Sequence, residues 1–146
     1  MSDFRPLDQQ FWASPQISEA EVLEARDRGI RMIVNNRPEN EAEGQPPGAR
    51  IEAAARAAGL DYVAIPITHA GFDEEQVQSL VAAMRRADGP ILAYCRSGTR
   101  STFLWALASA VEGGDPAKIA AEASAAGYDV SPIAPLIEML AARTRS

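Results

Sequence analysis

Apolar positions along this chain repeat in two rhythms, alternating in short runs and recurring every three to four residues in longer ones, which predicts strands interleaved with helices around one sheet. Ser18 with Glu21 forms a capping box that opens a helix reaching about Arg28, and Gly29 ends it. RMIVN, from Arg31 to Asn35, then reads as a buried strand. The stretch Asn36 to Gly48 is rich in acid, Pro and Gly and has no period, so it predicts a surface loop long enough to form a pocket rim. An Ala-rich helix over Ala49 to Ala58 is closed by Gly59. DYVAIPI, Asp61 to Ile67, alternates as a second strand. Asp73 with Gln76 caps a helix that carries Val77, Leu80, Val81 and Met84 on one face until Asp88-Gly89-Pro90 breaks it. A third strand follows over Pro90 to Tyr94. Helices are expected over Ser101 to Val111, Asp115 to Ala126 and Ser131 to Ala142, the last two each with a cap residue followed by Pro. No internal repeat or low-complexity segment interrupts the pattern.

Composition narrows what such a chain can do. Its 146 residues predict one domain over 1–146 with a core that needs no staples. A net charge of −6 argues against the basic face that nucleic acid requires. The longest apolar stretch, Phe103 to Ala108, is too short to span a bilayer, and MSDFRPLDQQFW lacks a signal pattern, so a cytoplasmic protein without membrane partners is expected. One cysteine excludes an internal disulfide and any mechanism that resolves an intermediate with a second thiol of the same chain. With one histidine beside it, no zinc site of soft ligands can be built, and neither metal nor organic cofactor is expected.

The candidate chemistry lies in ILAYCRSGTRS, Ile91 to Ser101, where an apolar strand ends at Cys95 and turns through Gly98 into a helix. Amide N–H groups at such a turn, the helix dipole and Arg100 together supply the positive potential that favours a thiolate, which makes Cys95 the candidate nucleophile. Arg96, Ser97, Gly98, Thr99 and Ser101 complete the candidate anion-binding loop. Arg100 has the planar fork that suits an anionic substrate. Ser101 is placed to cap the helix or to donate to the sulfur, and Arg96 to point outward at the pocket mouth. His69 is a candidate pocket-edge residue. Asn35, Asn36 and Arg37 follow a strand expected beside the cysteine strand, where they either line the site or bond at the strand end.

Together with FWASPQIS, RMIVNNRPE and YVAIPI, the cysteine segment makes the first three quarters of the chain resemble the family called beta-lactamase hydrolase-like protein, phosphatase-like domain. That resemblance implies an α/β fold like that of dual-specificity phosphatases: a mixed sheet flanked by helices, with the cysteine loop at the carboxyl end of a central strand. It also implies two chemistries, because family members occur fused to persulfide- and sulfide-handling enzymes. Cysteine phosphatases use Cys-x5-Arg, usually after a His. Here Tyr94 precedes Cys95, and only four residues separate Cys95 from Arg100, which shortens the loop by up to ~3.3–3.6 Å. CRSGTR instead resembles the six-residue loop of rhodanese-like sulfurtransferases. The leading expectation is therefore a sulfurtransferase carrying a sulfane sulfur as a Cys95 persulfide. The alternative is a phosphatase acting through a Cys95 thiophosphate, and a noncatalytic anion-binding module comes third. The corresponding partners are a small anionic sulfur donor such as thiosulfate or glutathione persulfide, a protein persulfide, or a phosphate ester such as a phosphoprotein. A phosphatase also needs a proton donor, and Asp73 is the candidate, since Thr68 to Phe72 resembles the general-acid loop of phosphatases; otherwise Asp73 only caps its helix.

Overall fold

The computed structural model describes residues 2–145. Strands β1 (Arg5–Pro6), β2 (Phe11–Ser14), β3 (Met32–Asn35), β4 (Asp61–Ala64) and β5 (Ile91–Tyr94) form one mixed sheet in the order β1-β2-β5-β3-β4. β1 is antiparallel to β2, and every other pairing is parallel. Helices α1 (Glu19–Asp27), α2 (Gly48–Ala57), α3 (Glu74–Arg86), α4 (Thr99–Val111), α5 (Pro116–Ala125) and α6 (Ala134–Arg145) flank it. The mixed sheet between helices is the expected architecture.

β5 is central, and its alternation explains why all four of its residues are buried. Ile91 and Ala93 enter the core shared with α3, α4, α5 and α6, whereas Leu92 and Tyr94 enter the core shared with α1 and α2. β3 splits in the same way, with Met32 and Val34 on one face and Ile33 on the other. Covered faces on both sides fix the register, because a one-residue slip would exchange the two cores. α4 is buried almost all round, from Leu104 through Ala108, as a helix surrounded by α3, α5 and α6 must be.

Several boundaries differ from expectation. β1 is only two residues long, and β2, FWAS, passes from two aromatics to Ala-Ser without alternating, so neither carries a strand signal. The strand expected over Asp61 to Ile67 stops at Ala64. Single backbone bonds from the Ile65 and Ile67 amides to the Asn35 and Asn36 carbonyls nevertheless keep the chain beside β3. A 3-10 turn, Ser131–Ile133, precedes α6, and Ser131 makes no side-chain cap; Pro132 and Pro135 lack the N–H groups that would close regular turns there. α4 begins at Thr99, two residues earlier than Ser101, with Gly98 as its N-cap at φ +95°.

Candidate active site

The parallel arrangement of β2, β5 and β3 brings three strand ends to one edge of the sheet, and the candidate site is assembled there. Cys95 follows β5 directly and is fully buried. Its amide donates to the Ser14 carbonyl (3.3 Å), and the Gln16 amide donates to the Arg96 carbonyl (3.4 Å), so the end of β2 holds the first turn of the loop. The Gly98 amide turns inward and donates to the Cys95 sulfur at 3.1 Å. Ser97 Oγ accepts from the Thr99 amide (3.3 Å), and Thr102 Oγ1 donates to the Gly98 carbonyl (2.8 Å), which fixes the passage into α4. Burial pushes the Tyr94 hydroxyl well above its ordinary range, so the residue before Cys95 is a neutral phenol.

Arg100 lies in the first turn of α4, and its orientation comes from a residue outside the loop. Its Nη1 donates to Glu41 Oε2 (2.6 Å) and to the Ile67 carbonyl (2.7 Å), and its Nη2 donates to Glu41 Oε1 (2.9 Å). Glu41 also accepts from Arg37 Nε at 2.9 Å, while Arg37 Nη1 donates to Gln16 Oε1 at 3.0 Å. Hydrogen bonds from Arg100, and after them those from Arg37, outweigh desolvation and hold the Glu41 carboxyl at about 2. The Arg100 guanidinium is correspondingly held above its ordinary range, chiefly by Glu41, with the Cys95 sulfur adding to the effect. A guanidinium has five N–H groups. Three of those on Arg100 meet protein oxygens; the other two lie together on the Nε–Nη2 edge, which takes no oxygen among the described residues. That edge is a complete bidentate donor for an external anion.

The remaining sequence candidates divide. Arg96 and Ser97 are exposed, as expected for Arg96, while Gly98 is buried and Thr99 half-buried. Ser101 neither caps the helix nor donates to the sulfur. Because α4 starts at Thr99, Ser101 sits inside the first turn, fully buried, and donates to Asn36 Oδ1 at 2.8 Å. Asn36 in turn donates from its side chain to the Ile65 carbonyl (2.8 Å) and from its backbone to the Tyr94 carbonyl (2.8 Å), tying β3, β4 and β5 together beneath the loop. Arg37 is buried in the site network, and its backbone N–H donates to Asn35 Oδ1 (2.9 Å), so it both lines the site and bonds at the strand end. Asp73 is exposed at the N-cap of α3, accepting from the Gln76 amide (2.8 Å). It lines an apolar groove of about 400 Å³ with Phe72, Val77 and Leu140, and no hydrogen bond joins it to the cysteine loop among the described residues. His69 is exposed in the same connection, two positions after the Ile67 carbonyl that receives Arg100.

Glu41, Gln16 and Tyr128, whose hydroxyl donates to the Ser97 carbonyl (3.2 Å), also belong to the site. The available signal for Glu41 is its position four residues after Arg37 in a loop leaving the strand beside β5; Gln16 lies within FWASPQIS, and Tyr128 has no local signal.

A protein of Agrobacterium fabrum, the beta-lactamase hydrolase-like protein, is 36% identical over 99 residues, covering 68% of this chain and 22% of its own length. The chain spans about a quarter or less of the length of the curated relatives it matches. The crystal structure of a candidate phosphatase from Neisseria meningitidis superposes with a TM-score of 0.83 at 30% identity, covering 96% of this chain and 99% of that one. TpbA of Pseudomonas aeruginosa, solved with phosphotyrosine, shares the fold at a TM-score of 0.67 and 15% identity, covering 99% of this chain and 91% of that one. These neighbours favour a phosphatase-like, cysteine-based protein and give sulfur transfer no support. Among the described residues no helix is long and apolar enough to cross a membrane. A family model matches residues 3–112, from before β1 to the end of α4, and so includes both Cys95 and the Glu41–Arg100 pair: the chain belongs to the phosphatase-like domain family of the beta-lactamase hydrolase-like proteins.

Proposed function

We propose that this protein is a cysteine-dependent phosphatase that cleaves phosphate monoesters through a Cys95 thiophosphate. The observation that carries the reading is the Arg100 edge left open beside a buried Cys95 by the Glu41 pairing. In the first step the Cys95 thiolate attacks phosphorus, the S–P bond forms, the ester P–O bond breaks, and a proton goes to the leaving oxygen. Water then cleaves the S–P bond, releasing phosphate and the thiolate. The Arg100 Nε–Nη2 edge pairs with two phosphoryl oxygens, and the loop amides face the third. On this reading the proton donor is Asp73, on the connection that begins at the Ile67 carbonyl bound by Arg100. The phosphatase-like neighbours, one of them holding phosphotyrosine, support a phosphate ester substrate.

A second reading, sulfur transfer through a Cys95 persulfide, rests on the four-residue interval between Cys95 and Arg100 and on the Gly98 amide drawn to the sulfur, a compact cradle for one anionic sulfur. The two are separated by measuring turnover of an aryl phosphate, and of thiosulfate with cyanide, with one preparation. Aryl phosphate hydrolysis with a burst equal to the enzyme present, lost in Cys95→Ser, is the expected result. Turnover of thiosulfate alone, with one cyanide-removable sulfur on Cys95 by intact mass, would replace it with the second reading. Phosphate binding without turnover of either would leave an anion-binding module.

A further inference from the structure

The peptide unit joining Ser97 to Gly98 is gripped at both ends. Its N–H end donates to the Cys95 sulfur (3.1 Å), while its C=O end accepts from the Tyr128 hydroxyl (3.2 Å). A trans peptide is planar with its N–H and C=O pointing in opposite directions, so holding the oxygen outward aims the N–H inward. We propose that Tyr128 is a positioning residue for the nucleophile loop, its hydroxyl locking the Ser97–Gly98 peptide in the orientation that presents an N–H, and not a carbonyl, to the Cys95 sulfur and to the anion bound there. The proposal builds on the reading of Cys95 as the nucleophile.

Three further observations make Tyr128 a rigid anchor. Its ring presses on the Gly98 α-carbon: a Cβ there would fall on the phenol oxygen and 2.9 Å from Cζ. Gly98 also has φ +95°, so the loop needs glycine both for its backbone angle and for the approach of the ring. The Arg5 guanidinium lies over the ring, 5.1 Å from the centroid, and Arg5 is itself held by Asp3 and by the Ala126 carbonyl. The phenol is nearly fully buried, and desolvation raises its pKa, so it stays protonated and remains a donor. A flipped peptide would lose the Tyr128 bond and set the negative end of a carbonyl dipole against a thiolate or a phosphoryl group in a site of low dielectric. Tyr128 lies between α5 and α6, beyond the family-matched segment that ends at residue 112, so the brace for the shared loop comes from the part of the chain outside that match.

The test uses Tyr128→Phe, which keeps the ring against Gly98 and under Arg5 and removes only the hydroxyl. The Gly98 amide resonance in the wild-type protein, identified by its movement in Cys95→Ser, is expected to shift in Tyr128→Phe while the amides of Ile33 and Val34 in β3 stay in place. Inorganic phosphate should bind more weakly by roughly threefold to tenfold, the size of one hydrogen bond in the loop. A lower melting temperature with an unmoved Gly98 resonance and unchanged phosphate affinity would overturn the proposal, since a merely structural role moves the first and not the others. If wild-type protein binds no phosphate, the phosphatase reading fails, and the Gly98 resonance alone still decides the role of Tyr128.

Discussion

Arg100 and Glu41, fifty-nine positions apart, meet through both terminal nitrogens of the guanidinium and both oxygens of the carboxylate, at 2.6 and 2.9 Å. End-on pairing of this kind orients the arginine and leaves its side edge to a ligand. Glu41→Gln keeps one acceptor oxygen and loses the charge and the second one, so Arg100 is expected to swing and kcat/KM for an aryl phosphate to fall roughly tenfold to a hundredfold. An increase in activity would show that Glu41 competes with substrate and does not position the arginine.

The same carboxylate predicts an acid-sensitive part of the stability. Glu41 is held at about 2 in the folded chain by Arg100 and Arg37, below the ordinary carboxylate value it regains on unfolding. Its contribution is therefore fully present above about pH 4.5 and is lost as pH falls toward about 2. Urea unfolding of wild type and Glu41→Gln should show a gap at about pH 5 that narrows steadily below it. A gap that does not depend on pH would mean that the ion pair is not its source.

Arg100→Lys should be more damaging than Glu41→Gln. A lysine ammonium cannot take the Glu41 carboxylate end-on and present a second edge, so phosphate ester turnover is expected to fall by about 10²–10³, the loss typical of a missing transition-state donor. Arg96→Ala, at an exposed position, should stay within a few-fold of wild type. Equal losses in the two variants would place the oxyanion contact at the mouth of the site and not at Arg100.

The course of the loop was legible because strand, thiol, glycine and arginine are consecutive, and local chemistry alone separates them from a structural cysteine. What was not legible depended on distance along the chain or on a small shift of register. Glu41 read as one acid among several in a rim, since nothing local says that an arginine from another element will reach it. Tyr128 is thirty-one positions from the carbonyl it holds. Ser101 was misplaced because a serine after an arginine looks like a cap, whereas Gly98 takes that role by adopting φ +95°. The paired cores are legible for β3 and β5, whose apolar runs declare two buried faces, but β2, equally four residues long, ends in Ala-Ser and declares neither. Ser101→Ala tests the corrected assignment: it removes the donor to a buried Asn36 oxygen and should cost about 1–3 kcal/mol in unfolding experiments. An unchanged stability would mean that Asn36 finds another partner.

Asp73 decides where the proton for the leaving group comes from. The structure gives its carboxylate a clear local task, the reciprocal cap with Gln76, and asparagine caps helices as well as aspartate does, so Asp73→Asn should fold normally. Removing a positioned acid costs about 10²–10⁴ in cleavage of an ester whose leaving oxygen holds its proton tightly. That loss is expected for phenyl phosphate, and a much smaller one for an aryl phosphate whose leaving group is already stable as an anion. Sulfite leaving thiosulfate needs no proton, so a sulfur-transfer activity would be indifferent to the same change. If Asp73→Asn hydrolyses both esters at the wild-type rate, the donor lies elsewhere on the 68–73 connection. His69, exposed on the same connection two positions after the Ile67 carbonyl that receives Arg100, is then the group to replace.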